Sequence, residues 1–181
     1  SGFIPSTVIE SGNETDRLLR ERGWTYWHHL FNPRQLLTAG LFAEISESTG
    51  LDSDQRVGQL LMTGRLANWN SRLTMWVSDA AKEQGAQTFY NQALNTPSNY
   101  SARASADLDT TVLSPLKSSD THALSQVLPS DARSLSVPCE YWITDPGYAD
   151  SVSYEEISEY FLAWQGKRLA ALFQDWPTDT M

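Results

Sequence analysis

The sequence contains a single cysteine, Cys139, so its 181 residues cannot form an intramolecular disulfide. Proteins of the reducing cytoplasm commonly have few cysteines and no disulfides. No stretch approaches the roughly 20 apolar residues that span a bilayer, and no basic, apolar secretory signal opens the chain. Together these absences predict a cytoplasmic protein that has no membrane partner.

Basic residues are also scarce: 13 Lys and Arg stand against 22 Asp and Glu, which gives a formal net charge of −9. Duplex DNA is a polyanion, and the proteins that bind it usually present a basic face. We therefore expect this chain alone to bind nucleic acid poorly, so that a nucleic-acid function would need a basic surface elsewhere in a longer protein. The opening Ser1-Gly2 resembles the scar of a removed tag, which is compatible with such an excised fragment.

The sequence lacks a glycine-rich nucleotide loop. Its two closest glycines, Gly58 and Gly64, are six positions apart, whereas dinucleotide and phosphate loops need more closely spaced glycines. The residues that would bind a nucleotide cofactor are therefore unknown. Apolar residues make up 40% of the chain and charged residues 19%, which is typical of a folded domain rather than of a disordered segment.

Two helices are predicted in the first half of the chain. Asn32-Pro33 marks the start of one, because Asn caps helices and Pro suits their first turn. Apolar residues then recur at helical spacing until Gly50. Asp52 or Ser53 caps the second helix, and the short connection predicts an antiparallel helix pair.

A third helix is predicted from about residue 154 to residue 174, opened by a capping box of Ser153 and Glu156. Its apolar stripe is most simply a surface that faces the core. The stripe consists of Ile157, Tyr160, Phe161, Trp164, Leu169 and Phe173.

Two strands are predicted as well. Residues 71–76 alternate between polar and apolar side chains, and Tyr141-Trp142-Ile143-Thr144 is a short apolar run typical of a buried strand. Cys139, just before this run, is expected to be a packing residue rather than a nucleophile.

The second strand leads into Asp145-Pro146-Gly147-Tyr148, whose chemistry suits an exocyclic amine. The Asp145 carboxylate and the Pro146 carbonyl could accept both N–H bonds of such an amine and orient its lone pair. The Tyr148 ring could stack on a base that has been rotated out of its helix. The alternative is an ordinary turn, because Pro-Gly is a common type II pair and Asp a favoured first residue.

The segment from residue 145 to residue 164 resembles a family of large bacterial and archaeal adenine-specific DNA methylases that carry an N-terminal domain of unknown function, DUF1156. In that family an Asp-Pro-Pro-Tyr motif precedes a Tyr-rich segment and a helix. Residues 23–37, which include a Leu-Phe-Asn-Pro-Arg-Gln-Leu string, resemble a second family segment, and residues 87–94 resemble a third. The three blocks follow one another in the family's order.

This resemblance implies an S-adenosylmethionine-dependent amino-methyltransferase that acts on N6 of adenine in DNA. It implies catalytic roles for Asp145, Pro146 and Tyr148 and substrate-binding roles for Gly147, Tyr154 and Arg34, with no metal. Arg34 could contact a phosphate; the alternatives are that it is an ordinary surface charge or belongs to an internal ion pair. For His28-His29 we favour a hydrogen-bonding or structural role over metal binding.

Two departures from the family limit what is expected of this chain. Gly147 replaces the usual third-position Pro, so the loop loses a rigid residue, and reduced activity could follow. The family's glycine loop lies upstream of these blocks and is missing here. The chain is thus similar to the middle and C-terminal portion of the enzyme. We expect such a fragment neither to bind S-adenosylmethionine nor to act alone.

The fold class expected from the resemblance is α/β, as an incomplete Rossmann-like methyltransferase portion with an N-terminal helical segment. Residues 1–94 would be a mixed lead-in with a possible recognition role, residues 95–122 a surface loop or insertion, and residues 123–181 the catalytic-loop part. DNA would be bound through the full-length parent, and the remainder of the parent chain would be a further partner. The alternatives are a non-catalytic recognition or scaffold module of a methyltransferase-like protein, and an unrelated acidic α/β interaction domain.

Overall fold

Four α-helices dominate the computed structural model. They are α1 (Thr15–Arg22), α2 (Pro33–Ser48), α3 (Ser53–Trp69) and α4 (Tyr154–Leu172), with short 3-10 helices at Trp27–Leu30 and Ala132–Ser134. The structure describes residues 2–48, 50–74, 76–77, 84–85, 87–90, 93–94, 127–128, 130–148 and 152–176. The predicted surface loop or insertion at residues 95–122 lies outside these residues.

The β structure in the described part consists of two antiparallel pairs of two-residue strands and an isolated antiparallel bridge between Val8 and Tyr26. In the first pair β1 (Trp76–Val77) lies beside β2 (Gln84–Gly85), and in the second β3 (Phe89–Tyr90) lies beside β4 (Ala93–Leu94). The predicted α/β, Rossmann-like fold class is therefore wrong, because the described part of the chain is helical and contains no parallel sheet.

The strand predicted for residues 71–76 is also largely wrong, since Trp76 is the only described residue of that range that belongs to a strand. Ser71 and Thr74 are buried rather than facing solvent. The Ser71 hydroxyl accepts the backbone N–H of Leu73 at 3.1 Å, and the Thr74 hydroxyl donates to the Ser71 carbonyl at 2.8 Å. These local bonds close a turn and compete with strand pairing.

The predicted starts of α2 and α3 are confirmed. Asn32 accepts the backbone N–H of Gln35 at 2.9 Å, and the Gln35 side chain accepts the Asn32 N–H at 2.8 Å. Asp52 and Gln55 repeat this reciprocal pair at the start of α3. Both helices thus begin with capping boxes that satisfy backbone donors which would otherwise have no partner.

The capping box predicted for α4 is not formed. The Ser153 side chain makes no cap hydrogen bond. The Glu156 carboxylate instead accepts backbone N–H groups of Glu14 and Thr15, where α1 begins. A glutamate that fits a local capping pattern is thus used for a contact between distant parts of the chain.

The predicted apolar stripe of α4 does face the core. Tyr160 is fully buried, its ring lies within about 5 Å of the rings of Trp27 and Phe89, and its hydroxyl donates to the Ala67 carbonyl at 2.7 Å. Helix α4 packs against α3, which packs against α2. None of the described helices is both long and apolar enough to cross a membrane.

Candidate functional site

The apolar run before Asp145 lies in the open rather than in a strand. Side chains of Tyr141, Trp142 and Ile143 are 83%, 57% and 98% exposed, and residues 141–148 belong to no strand or helix. The prediction of a buried strand is therefore wrong, as is the packing role of Cys139, which is exposed. An apolar run becomes buried only where another part of the protein packs over it. Within the described part of the chain, nothing buries these three side chains.

Asp145-Pro146-Gly147-Tyr148 does not form the turn that its sequence allows. A type II turn needs a positive φ at the residue after Pro. Among the described glycines only Gly23 and Gly50 have a positive φ, so Gly147 does not meet this requirement. Residues 145–148 form no hydrogen-bonded turn and are all exposed. The segment therefore presents its carboxylate, its carbonyl and its phenol ring to solvent.

Two of the predicted substrate-binding residues, Gly147 and Tyr154, lie together. A Cβ atom at position 147 would lie 3.4 Å from Cε2 of the Tyr154 ring, which is an ordinary van der Waals distance. Tyr154 is the first residue of α4. The loop therefore passes close to the first turn of α4.

The start of α4 is tied to the N-terminal segment by two glutamates. The Glu156 carboxylate accepts the Thr15 N–H at 2.8 Å and the Glu14 N–H at 3.1 Å. One turn later, Glu159 accepts the Trp27 indole N–H at 2.8 Å and the Glu10 N–H at 3.1 Å. We call Glu156 and Glu159 the glutamate clamp.

The electrostatics of the clamp reflect its burial. Loss of solvent raises the pKa of the Glu159 carboxyl above its ordinary value, although the hydrogen bonds from Trp27 and the Glu10 backbone oppose the shift. The nearby carboxylates of Glu10 and Glu156 raise this pKa further. The clamp could not be predicted from the sequence, because two glutamates three positions apart on a helix ordinarily indicate a face exposed to solvent.

Arg34 lies in the first turn of α2 with an exposed side chain. Its backbone carbonyl accepts the Thr38 hydroxyl at 2.9 Å. Within the described part of the chain, no hydrogen bond or ion pair joins it to Asp145 or Tyr148. Its predicted role toward a phosphate stays a prediction.

The two histidines serve as hydrogen-bonding groups. His28 Nδ1 lies 2.8 Å from the Pro5 carbonyl, to which it must donate because a carbonyl can only accept. His29 Nδ1 accepts the Thr25 N–H at 3.2 Å. Burial, and secondarily the neighbouring His28, lowers the pKa of His29. Both rings thereby hold the chain around the 3-10 helix at Trp27–Leu30.

No protein-family model, curated protein or solved structure significantly matches this chain. The resemblance to adenine-specific methylases therefore rests on the three sequence blocks and stays a prediction. The candidate site consists of one exposed segment that contains Asp145, Pro146 and Tyr148, followed by a helix that the glutamate clamp fixes to the N-terminal segment.

Proposed function

We propose that this chain supplies the target-base loop of an S-adenosylmethionine-dependent N6-adenine DNA methyltransferase. The observation that carries the proposal is the conformation of Asp145-Pro146-Gly147-Tyr148, which is exposed and does not form the Pro-Gly turn. A turn would close the segment through a hydrogen bond from the Tyr148 N–H to the Asp145 carbonyl. In the open segment the Asp145 carboxylate and the Pro146 carbonyl belong to exposed residues that an incoming base could reach.

The chain's own groups would orient the adenine amine. Its nitrogen lone pair is delocalised into the ring, so two N–H acceptors are needed to turn that pair toward an electrophile. The Asp145 carboxylate would accept one N–H and the Pro146 carbonyl the other. Tyr148, whose side chain is 56% exposed, would stack on the extruded base.

The glutamate clamp supports this role because a base-binding loop must be held in a fixed place. A Cβ atom at position 147 would meet the Tyr154 ring, so the loop passes close to the start of the helix that the clamp fixes. The clamp bonds span more than 130 positions of the sequence. They hold the start of α4, beside which the loop lies, to the N-terminal segment.

The described residues do not fit the cofactor. In nucleotide loops, glycines with unusual backbone angles lie between a strand and the helix that follows it. The positive-φ glycines here lie at helix ends instead, since Gly23 caps the C-terminus of α1 and Gly50 follows α2. We assign S-adenosylmethionine binding to another part of a parent protein, and we place that protein in the cytoplasm, where its DNA would be.

Methyl labelling of DNA by the parent protein tests the proposal. Asp145→Ala should abolish incorporation while leaving the thermal melting temperature unchanged, because Asp145 is exposed. Asp175→Ala removes an exposed carboxylate elsewhere and should label normally. Normal labelling by Asp145→Ala would refute the catalytic assignment.

One observation favours a second candidate, a non-catalytic scaffold or recognition module. Tyr141, Trp142 and Ile143 form a contiguous exposed apolar segment, and such segments commonly contact other protein surfaces. The remainder of the parent chain is the partner that we would expect there. Substituting Trp142 and Ile143 by Ser should then weaken association of the separately expressed parts, whether or not Asp145 is needed for labelling.

A further inference from the structure

Two adjacent hollows lie beside the C-terminal half of α4 and share Glu47 and Arg168. One reaches the N-terminal segment at Phe3, and the other reaches the first turns of α3 at Arg56 and Gln59. We call the two hollows together the α4 groove. It lies outside the target-base loop described above.

The charge of the α4 groove is opposite to that of the chain. Arg56, Lys167 and Arg168 line it, and Glu47 opposes them with one carboxylate. The whole chain has a formal net charge of −9. A concentration of cations on one concave surface of an acidic protein indicates an anionic ligand.

Buried donors in the groove have nothing to bind within the described part of the chain. Arg168 Nη1 and Gln59 Nε2 are buried without a hydrogen-bond partner, as is the indole N–H of Trp164, which lines the first hollow. A buried donor left unpaired costs about 1–3 kcal/mol. These atoms are covered in this structure, so an oxygen-rich ligand would satisfy them only after the side chains around the groove move aside.

Arg168 is held in place beside the groove. Its Nε donates to Glu47 at 2.9 Å, its side chain is only 16% exposed, and its guanidinium carbon lies 5.4 Å from the centre of the Phe3 ring. These contacts fix the planar guanidinium while Nη1 remains unpaired. A fixed guanidinium loses little freedom when it binds a phosphate.

We propose that the α4 groove binds a backbone phosphate of a nucleic-acid strand, an inference that rests on the proposed function. Arg168 lies fourteen residues after Tyr154 on α4, so at 1.5 Å per residue it is about 21 Å farther along the helix axis. A strand that ran parallel to α4 would span this distance with roughly six nucleotides at 3.4 Å each. The apolar Phe3 ring provides a surface for the adjoining sugar or base.

Fluorescence anisotropy with a labelled oligothymidine at several salt concentrations tests the groove on this chain. Arg56→Gln with Lys167→Gln changes two exposed groove cations. Arg17→Gln with Arg20→Gln changes two exposed cations of α1 and is matched in charge. We expect the groove variant to bind roughly tenfold more weakly and with a smaller salt slope, and the control variant to change less than about twofold.

The net charge of −9 predicts that the chain alone binds weakly, so binding is measured at low salt, where the groove cations are least screened. The proposal fails if the wild-type chain does not bind the oligonucleotide even there, or if both double variants lose affinity equally. Inorganic phosphate should compete only at far higher concentration than the oligonucleotide. Equal competition per phosphate would mean a small-anion site instead. Oligothymidine contains no adenine, so this binding assay does not depend on the methyl-acceptor amine. DNA labelling by the Asp145→Ala parent protein tests the loop assignment separately, which distinguishes its failure from failure of the groove.

Discussion

The carboxylate of Glu156 accepts the backbone N–H of Thr15 at 2.8 Å, which joins the first turn of α4 to the first residue of α1. The bond is buried and spans 141 sequence positions. It takes the place of the local cap that the sequence around Ser153 predicts. Several consequences for stability depend on this contact.

Removing the Glu156 carboxylate should destabilise the protein. Glu156→Ala leaves the N–H groups of Glu14 and Thr15 without their acceptor, and we expect a loss of about 3 kcal/mol. Chemical denaturation followed by tryptophan fluorescence measures it. Glu155→Ala removes an exposed neighbour and should change stability by less than about 0.5 kcal/mol. Equal effects of the two substitutions would contradict the contact.

Glu159 should make stability depend on pH. Because its pKa is raised in the folded state, the folded form holds the proton more tightly than the unfolded form, whose value is near 4.5. The contribution of protonated Glu159 to the free energy of unfolding is complete below that value. It is lost as pH rises through the folded-state pKa of Glu159. Glu159→Gln keeps an acceptor for the Trp27 indole but does not ionise.

The melting temperature of wild type minus that of Glu159→Gln should therefore fall as pH rises above about 4.5. Thermal melts from pH 4 to pH 8 measure this difference. A difference that grows with pH would mean that hydrogen bonding to the ionised carboxylate outweighs its burial.

Gly12 should tolerate no side chain. A Cβ atom there would lie 2.6 Å from Glu156 Oε1 and 2.9 Å from Thr15 Oγ1. Gly12→Ala must displace the Glu156 carboxylate and should cost about 1–3 kcal/mol. Denaturation of Gly58→Ala is the control, because no atom lies within 4 Å of a Cβ there. A Gly12→Ala protein as stable as wild type would show that the clamp is loose.

Gly147 should accept a side chain, in contrast to Gly12. Its φ is not positive, and a Cβ atom would be 3.4 Å from the Tyr154 ring. Gly147→Ala should therefore fold with a stability within about 0.5 kcal/mol of wild type. Gly147→Pro, which restores the family motif, should not lower methyl labelling by the parent protein. Destabilisation of Gly147→Ala would indicate that the loop needs glycine's conformational freedom.

The capped starts of α2 and α3 could be predicted because the side chains of Asn32 and Asp52 accept hydrogen bonds from backbone N–H groups only three residues away. Local sequence contains that information. The role of Glu156 could not be predicted, since its partners lie at the other end of the chain. The strand expected at Tyr141 is wrong because an apolar run specifies a preference for burial but not the surface that would provide it.

The functional groups of the candidate loop could be predicted from the sequence, but its backbone conformation could not. Asp145, Pro146 and Tyr148 have the acceptors and the ring that the chemistry needs, and the structure leaves all three exposed. Their sequence alone does not decide between a turn and an open segment. The outcome depends on the φ of Gly147, which glycine can adopt with either sign.

The most direct measurement is the identity of the base that the parent protein methylates. DNA incubated with the parent protein and labelled S-adenosylmethionine would be digested to nucleosides and analysed by mass spectrometry. Our account predicts N6-methyladenine from wild type and from Asp175→Ala, and none from Asp145→Ala. Methylation of another base, or N6-methyladenine formed at the wild-type level by Asp145→Ala, would contradict it.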